Sequence, residues 1–453
     1  MANGLDLIAV QLERPTVLQE TLRVFQVCDG CRRCFNLCPS FNTLFDRVDA
    51  GESDLSKLQA SDFDRVADEC YYCKLCYNHC PYTPPHHYGI DFPHLMIGWK
   101  KLLAQERPVR WRDRLLVRTD WIGKLGTLVA PLTNWANTTR WVRKLLHRVL
   151  GIHQDRHLIG FQAETFPHWL TRTQEGREEG RVGARAPAKE SEPPASPGRV
   201  RGSGASEPIP MGARAPAKKV ALFSTCLVDY HAAEVGQATV AVLEKNGVEV
   251  IRPAQQCCGM PLFDIGDTAS IVKKAQANLA ALKPLVDHGY DIVAPVPSCS
   301  LMLKREYPHL LQTEEAKLVA SRTFDVCEYL MRLKKEGCLD TTFPHRPGKI
   351  AYQIPCHLRD QNIGFKSKEL MELTGATVEV IERCSGHDGT WGVKVEFFEL
   401  SMNIARKAVR EIEEVQGDLV VSDCPLSGVQ LTQAGGGKPT LHPIEVIRQA
   451  YGI

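Results

Sequence analysis

The chain contains two copies of one closely spaced cysteine motif. Residues 28–39 read CDGCRRCFNLCP and residues 70–81 read CYYCKLCYNHCP, so each copy has the spacing C-x2-C-x2-C-x3-C-P. Three thiolates at this spacing can wrap one face of an iron–sulfur cubane, and the fourth, before a proline, serves the other cluster. Zinc also uses C-x2-C pairs, but rarely this four-cysteine run. The motifs therefore predict two [4Fe–4S] clusters.

The interleaved pattern also predicts which cysteines belong together. The segment DFDRVADEC (62–70) between the motifs is typical of a helix, which favours a helical dicluster ferredoxin domain over residues 1–95. The expected ligands of the first cluster are Cys28, Cys31, Cys34 and Cys80, and those of the second are Cys70, Cys73, Cys76 and Cys38.

The cysteine count and the charge narrow the class of protein further. An odd total of 17 cysteines in tight groups favours metal binding over disulfides, as expected for a cytoplasmic chain. The N-terminus lacks a basic start followed by an apolar core, so we expect no export signal. No apolar run reaches 18 residues, so we expect no transmembrane helix. A net charge of +2 gives no reason to expect a nucleic-acid partner.

From residue 219 onwards, strand and helix patterns alternate, and the order occurs twice. Each apolar strand run leads into a cysteine, and open α/β sheets bind ligands at the carboxyl ends of their strands. We therefore predict an α+β multidomain protein in which two duplicated α/β domains, 219–340 and 341–453, follow the ferredoxin domain. The runs are 219–224, 248–253, 291–299, 349–356, 376–384 and 418–424.

The first α/β domain carries a second set of candidate ligands. Cys226, Cys257, Cys258 and Cys299 follow its three strands, and four thiolates suffice for one further iron–sulfur cluster. Adjacent side chains normally point apart, but Gly259 permits the tight turn that would direct both Cys257 and Cys258 to one cofactor. The alternative interpretation is a set of buried structural thiols.

Several segments resemble the cysteine-rich CCG domains of heterodisulfide-reductase-like proteins. The domain order resembles in particular the C subunits of anaerobic glycerol-3-phosphate dehydrogenases. The resembling segments are 118–134, STCLVDY (224–230), CCGMPL (257–262), SCSLMLKREYPHLL (298–311), PCHL (355–358), GTWGVK (389–394) and SDC (422–424).

The resemblance implies an electron-transfer subunit, an oxidoreductase component rather than a stand-alone catalyst. It would relay electrons between a flavin-containing or other dehydrogenase subunit and a membrane quinone or similar acceptor. Two alternatives stay open, a disulfide or small-molecule reductase acting at the CCG cluster and a non-enzymatic redox sensor. Met302 and Ser427 replace the last cysteine of a C-x-x-C pair that such reductases carry, which weighs against disulfide reduction.

The second α/β domain departs from the CCG pattern. In ERCSGHDGTWG (382–392), Ser385 occupies the position of the second thiol. The domain could hold an altered cluster, a single zinc or iron ion, or no cofactor. Asp388 could orient His387 as a hydrogen-bonded carboxylate. The candidate ligands are Cys356, Cys384, Cys424, His387 and His357.

Residues 96–170 form a predicted helical segment that is rich in tryptophan and basic residues. Within 138–151, TTRWVRKLLHRVLG places an apolar, tryptophan-bearing face opposite a basic one, as in helices that lie at a membrane surface. The alternative is a helix that packs its apolar face on the core. The resemblance implies a peripheral position on the inner face of the cell membrane. Residues 171–218, rich in Gly, Pro and charged residues, predict a flexible linker.

Overall fold

The N-terminal part is a bundle of short helices, in a computed structural model that describes residues 12–183 and 218–453. Its core is aromatic: the rings of Phe41 and Phe92 lie 4.4 Å apart, and those of Phe63 and Trp99 lie 5.2 Å apart. Burial of such side chains stabilises the fold by about 1.5–3 kcal/mol each. The helices are α1 (Arg14–Cys31), α2 (Pro39–Ala50), α3 (Ala60–Glu69), α4 (Leu75–His79) and α5 (Phe92–Glu106), with a 3₁₀ turn at Leu55–Lys57.

A chain of five helices leads from this bundle towards the α/β part. The last of the five, Phe166–Gly183, extends thirteen residues into the segment 171–218 that was predicted to be a linker. The rest of that segment, up to residue 217, lies outside the described residues. The helices are α6 (Trp111–Leu116), α7 (Thr119–Leu128), α8 (Ala130–Thr138), α9 (Arg140–Leu150) and α10 (Phe166–Gly183).

The first α/β domain has a parallel sheet in the order β2-β1-β3-β4. Val220 on β1 pairs with Val250 on one side and with Asp291 on the other, so β1 is a central strand. The strands are β1 (Lys219–Leu222), β2 (Glu249–Ile251), β3 (Asp291–Ala294) and β4 (Thr323–Asp325). The helices are α11 (Thr225–Tyr230), α12 (Ala233–Lys245), α13 (Thr268–Asp287), α14 (Pro297–Leu301), α15 (Tyr307–Leu311), α16 (Glu314–Ser321) and α17 (Val326–Lys335), with a 3₁₀ helix at Met260–Ile265 and a π-helical turn at Met302–Glu306.

The second α/β domain repeats this arrangement with the sheet order β6-β5-β7-β8, again all parallel. Its strands are β5 (Lys349–Gln353), β6 (Thr377–Ile381), β7 (Leu419–Val421) and β8 (Thr440–Leu441). Its helices are α18 (Cys356–Asp360), α19 (Lys366–Glu372), α20 (Phe398–Val415), α21 (Pro425–Ala434) and α22 (Pro443–Tyr451).

The predicted fold class is confirmed, since a helical domain precedes two parallel α/β units. The six predicted strand runs contain β1, β2, β3, β5, β6 and β7, because each run is apolar enough to lie buried between helix layers. The edge strands β4, with three residues, and β8, with two, were not predicted. One hydrophobic core includes residues of both α/β domains, such as Leu330, Ile350 and Ile447.

Candidate metal centres

The two cysteine motifs of the helical domain lie at helix ends. Cys28 and Cys31 are on the last turn of α1, where Arg32, with a φ of 49°, reverses the chain. Cys38 has extended backbone geometry directly before Pro39, the first residue of α2. Proline is favoured at this helical position because its fixed φ suits the first turn. The charges that act on Cys38 come from Cys70 and Cys384 and not from the earlier cysteines of its own motif.

The second motif is coiled by two left-handed residues between α3 and α4. Tyr72 and Lys74 have φ angles of 55° and 58°, which non-glycine residues rarely adopt. Burial raises the pKa of Cys73 well above its usual range, followed in effect by the charges of Cys384 and Cys356 and then by those of Cys38 and Cys76. Burial likewise raises the pKa of Cys38, with the charge of Cys70 next in effect. Cys38 thus lies with the second motif, as the interleaved assignment expects.

The other cysteines of the two motifs form a separate group, made up of Cys28, Cys31, Cys34 and Cys80. Burial raises the pKa of Cys28, and the charges of Cys34, Cys80 and Cys31 raise it further. All 17 cysteines lie in the described ranges, and none is in a disulfide. Soft thiolates crowded in a poorly solvated site repel one another unless cations compensate them, and iron–sulfur clusters do so. The donor set fits two four-thiolate clusters, while the individual ligand assignments stay predictions.

Four of the six cysteines of the first α/β domain, Cys226, Cys257, Cys258 and Cys299, converge at the carboxyl edge of its sheet. The Sγ atoms of Cys226 and Cys257 are 3.7 Å apart, and those of Cys258 and Cys299 are 3.3 Å apart. Gly259 has a φ of 94°, and a Cβ there would lie 3.2 Å from Ile271. The turn thus depends on glycine, as the sequence suggested. We refer to this group as the first CCG site.

Helix α7 covers the first CCG site with a residue that sequence reasoning missed. The hydroxyl oxygen of Thr119 lies 3.4 Å from Cys226 Sγ and 3.6 Å from Cys257 Sγ. The sequence offered one clue to Thr119, because this residue lies within the segment 118–134 that resembles the CCG family. Hydrogen bonding from Cys226, and then from Cys258, lowers the pKa of Cys257. Hydrogen bonding to Cys257 in turn raises the pKa of Cys226 and of Cys258 well above the usual range, so the group favours one thiolate, at Cys257, the form that binds iron.

The equivalent group in the second α/β domain, here the second CCG site, has three cysteines. Burial raises the pKa of Cys356, and the charges of Cys384 and Cys424 contribute, so the three thiols are neighbours. The hydroxyls of Ser385 and Ser427 hydrogen-bond to each other at 2.9 Å, and both residues are buried. These serines stand at two positions where the family pattern has cysteine. Each serine hydroxyl therefore has the other as its hydrogen-bond partner and needs no metal to satisfy it.

The structure corrects the suggestion that His357 is a metal ligand. Its Nδ1 is 2.8 Å from the Ser298 hydroxyl, and its Nε2 is 2.9 Å from the backbone oxygen of Tyr72. Both ring nitrogens are therefore occupied, and neither is left to bind a metal. Ser298 precedes Cys299, and Tyr72 precedes Cys73. His357 instead joins the second motif to both α/β domains.

The other histidine candidate is buried but lies in a different environment from the one expected. Burial, with the charge of Arg156, lowers the pKa of His387 to about 3, so the ring is neutral. Its Nδ1 has no hydrogen-bond partner among the described residues. Asp388 does not orient it; burial and the nearby Asp264 raise the pKa of that carboxyl well above its usual range. A ligand role for His387 stays a prediction.

The second CCG site adjoins the second motif of the helical domain. The Tyr71 hydroxyl lies 3.3 Å from Cys384 Sγ, and the charge of Cys384 contributes to the burial-raised pKa values of both Cys38 and Cys73. A cavity of about 1060 Å³ between α8, α9 and the α/β domains is lined in part by Cys424. The second CCG site therefore adjoins both a cluster motif and a cavity large enough for a small molecule.

A buried ionic network holds the second motif against the α/β domains. Lys74 Nζ lies 2.7 Å from Glu306 and 3.3 Å from Asp360, and all three side chains are almost fully buried. His94 contacts Glu306 at 3.1 Å and Asp91 at 2.7 Å. Burial opposes the charged imidazole, but these two carboxylates outweigh it and raise the pKa of His94 to about 9.

The network predicts a pH dependence of stability. A raised pKa in the folded state means that His94 stabilises the fold fully below about pH 6.5 and loses this contribution as the pH rises through about 9. The difference is on the order of 3 kcal/mol. Urea unfolding between pH 6 and 10 should show a steeper loss for the wild type than for His94→Gln. The variant His168→Gln, at an exposed histidine, provides a control. Equal slopes of unfolding free energy against pH in the wild type and both variants would contradict the prediction.

Helices α7, α8 and α9 expose an apolar face, which we call the tryptophan face. Gly123 and Gly126 turn the other side of α7 inward, where added Cβ atoms would clash with Tyr230 and Phe161. Arg143 is buried and donates to the backbone oxygens of His153 and Arg156 at 2.7 Å each. The apolar side of α9 is therefore not packed on the core. The exposed residues are Trp121, Leu125, Leu128, Val129, Leu132, Trp135, Trp141, Leu145 and Val149.

None of the described helices has both the length and the apolar character needed to cross a bilayer.

Comparison with known families agrees with this architecture. The model for the cysteine-rich domain, CCG, matches residues 220–304 and 350–432. The model for the Fer4-like domain of citrate utilization protein B matches residues 21–103. A ferredoxin-like domain followed by two cysteine-rich α/β domains defines an iron–sulfur protein of the CCG class.

Within that class, the chain belongs to the family that includes lactate utilization protein A and the C subunit of anaerobic glycerol-3-phosphate dehydrogenase. It is 28% identical to the latter protein from Escherichia coli K12 over 345 residues, covering 75% of this chain and 77% of that one. It is 33% identical to lactate utilization protein A from Geobacillus thermodenitrificans over 254 residues, covering 51% of this chain and 98% of that one. The same protein from Geobacillus sp. WCH70 is 31% identical, with 51% and 97% covered.

Proposed function

We propose that the chain is an electron-transfer subunit that relays electrons between a dehydrogenase partner, flavin-containing by expectation, and a membrane quinone or similar acceptor. The observation that carries the proposal is the position of His357. Its two nitrogens contact the residues next to Cys73 and Cys299, while His357 itself follows Cys356. Ligand candidates of three centres therefore meet around one side chain, as a relay of electrons requires.

Bound iron–sulfur clusters would supply one-electron transfer at these centres. The proposed ligands are those assigned from the sequence to the two [4Fe–4S] clusters and to the first CCG site. The chain holds them with backbone turns at Arg32, Tyr72, Lys74 and Gly259. Thr119 and Tyr71 lie against the thiols of the two CCG sites and would limit the access of water to a bound cluster.

The second CCG site is proposed to be the point at which electrons leave the helical domain. The contact of Tyr71 with Cys384 supports this, because it brings that thiol to the second motif. The site has three thiols because Ser385 replaces the fourth, and three thiols suit an altered cluster or a single zinc or iron ion. With any of these, Cys384 faces the motif and Cys424 faces the large cavity.

A peripheral position on the inner face of the membrane is supported by the tryptophan face. Leu128 is 81% exposed and Trp141 63% exposed, and such side chains lose unfavourable water contact at a bilayer surface. Arg140, Lys144 and Arg148 on α9 flank this face and would attract anionic lipids. The related C subunit belongs by name to a dehydrogenase complex, which supports a dehydrogenase partner here.

One observation favours the alternative of a small-molecule reductase. The cavity of about 1060 Å³ reaches Cys424, and a substrate in it could take electrons at the second CCG site. In that case the acceptor would be a dissolved molecule rather than a quinone in the bilayer.

The test is reoxidation of the dye-reduced, anaerobically purified chain. We expect vesicles containing menaquinone to reoxidise it, and vesicles without quinone to leave it reduced. Cys38→Ser should slow reoxidation at least about tenfold, because the second cluster loses a ligand. Cys338→Ser, at an exposed cysteine outside all the groups described, is the control. Indifference to quinone, together with thiol release from an added disulfide, would overturn the proposal in favour of the reductase.

A further inference from the structure

Two carboxylates and a thiol that could ligate a metal ion lie together at the interface of the two α/β domains. Asp325 ends β4 and caps α17, Cys327 is on the first turn of α17, and Asp423 follows β7 of the other domain. One ligand atom from each of these residues lies within 4.8 Å of the other two. Donors at about 2.0–2.3 Å from a tetrahedral ion lie roughly 3.3–3.8 Å from one another, so a group confined within 4.8 Å can close around one ion with small side-chain adjustments. None of the three belongs to the cysteine groups described above.

The three side chains are buried, and one of their oxygens lacks a partner. Asp325 is 1% exposed, and Cys327 and Asp423 are fully buried. The Oδ1 of Asp325 accepts a hydrogen bond from the backbone nitrogen of Cys327 at 2.9 Å. Its Oδ2 is buried without a hydrogen-bond partner among the described residues. A buried carboxylate oxygen is rarely left unsatisfied in a native protein, so this atom points to an unseen ligand.

No protein cation on the described part of the chain makes an ion pair with these carboxylates. Lys304, whose charge acts on Asp325, is paired with Glu328 at 2.8 Å. His442 lies close to the backbone of Asp423, but its Nε2 bonds to the Pro295 oxygen and its Nδ1 to the Ile444 nitrogen. Two carboxylates therefore share a buried site without a compensating positive charge from the protein.

The surrounding hydroxyls orient Asp423 towards this site. Tyr352 donates to its Oδ2 at 2.6 Å, and Ser367 donates to its Oδ1. The Ser367 hydroxyl also interacts with the thiol of Cys327. Metal-ligating carboxylates are commonly fixed by hydrogen bonds of this kind. Since Ser367 contacts both Asp423 and Cys327, its hydroxyl is a candidate for a fourth ligand.

The pseudo-symmetric contact between the domains has a different composition. His442, at the end of β8, donates to the backbone oxygen of Pro295, which follows β3. Asp325, at the end of β4, instead faces Asp423, which follows β7. In the contact between His442 and Pro295, one hydrogen bond satisfies both polar groups. The contact between Asp325 and Asp423 instead brings two acidic groups together. The duplication therefore created an acidic site at only one of the two equivalent positions.

We propose that Asp325, Cys327 and Asp423 bind one divalent transition-metal ion, Zn²⁺ or Fe²⁺, which links the two α/β domains. Two carboxylate oxygens and one thiolate form a mixed set of hard and soft donors, which suits these borderline ions better than Mg²⁺ or Ca²⁺. The proposal does not depend on the electron-transfer function, because the ion would be structural.

The test measures metals and acid-labile sulfide per chain in the full-length protein and in Asp325→Asn. Asparagine caps a helix about as well as aspartate, so α17 keeps its start, while the ligand charge is lost. We expect the variant to lose one equivalent of zinc, or one iron without any sulfide, and to melt several degrees lower. Cys327→Ser should also lose the ion. Asp267→Asn, at the cap of α13, is the matched control and should keep it.

The competing explanation is a proton shared by the two carboxyl groups. Asparagine would then mimic a protonated Asp325, so the variant would keep the wild-type metal content and melting temperature. This result would overturn the proposal, and so would a wild-type protein whose only metal is cluster iron. Unchanged sulfide in every variant shows that the clusters, and with them the proposed function, are unaffected by the outcome.

Discussion

Replacing Cys258 with serine is expected to remove about four irons and the matching sulfide from each chain. Cys258 is buried, and its Sγ lies 3.3 Å from that of Cys299, at the centre of the first CCG site. A hydroxyl is a poor ligand for iron in this setting, so the whole cluster should be lost rather than one iron. Iron and sulfide analysis of anaerobically purified protein measures the effect.

The size of the remaining iron content tests the assignment of the other clusters. The wild type should contain about twelve irons or more, and the variant about eight, which the two motifs of the helical domain retain. Cys338→Ser provides the matched control, because Cys338 is exposed and belongs to no group. Eight irons in both the wild type and Cys258→Ser would mean that the first CCG site holds no cluster.

The second large effect is expected at the tryptophan face. The double variant Leu128→Glu, Leu132→Glu should bind vesicles of phosphatidylglycerol and phosphatidylethanolamine about 100-fold more weakly than the wild type. Each leucine contributes about 1.5–3 kcal/mol when it leaves water, and every 1.4 kcal/mol is a factor of ten. Both side chains are exposed, so the fold should not change. Cosedimentation with the vesicles measures the binding.

A matched substitution separates membrane binding from a general effect of charge. Leu318 is exposed on α16 of the first α/β domain, far along the chain from the tryptophan face. Leu318→Glu should bind vesicles like the wild type. If the double variant binds vesicles as the wild type does, the face serves a protein partner instead. Recovery of a dehydrogenase subunit with the wild type but not with the double variant would then identify that partner.

The ligand candidates could be found from the sequence because each of them is encoded locally. The motifs at 28–39 and 70–81 carry their own spacing, and Cys226, Cys257, Cys258 and Cys299 each follow an apolar strand run. Parallel strands bring such positions to one sheet edge whatever the rest of the chain does. The same logic predicted the turn at Gly259, where only a residue without a Cβ is comfortable at a φ of 94°.

The contacts between domains could not be found in this way. The sequence left His357 either as a candidate ligand beside Cys356 or as a satisfied core histidine. Only tertiary packing decided for the second, by giving its nitrogens to Ser298 and Tyr72. Thr119 lies 107 residues from the thiol it touches. The helix at 138–151 was predicted correctly as amphipathic, yet only the structure decided that Arg143 is inside and Trp141 outside. The amphipathic pattern of this helix is equally compatible with its apolar face packed on the core and with its apolar face exposed.

The sequence by itself determined the fold class, the cysteine groups and the loss of a thiol at Ser385. Spacing and strand periodicity are properties of neighbouring residues, and these features depend on little else. The tertiary structure decided how the centres are arranged, which histidines are occupied, and that Asp325 meets Asp423. These facts depend on which surfaces of separately folded units pack together, and the pairing of distant acidic side chains leaves no trace in local patterns. The arrangement of the cysteine groups relative to one another is therefore a property of the domain interfaces.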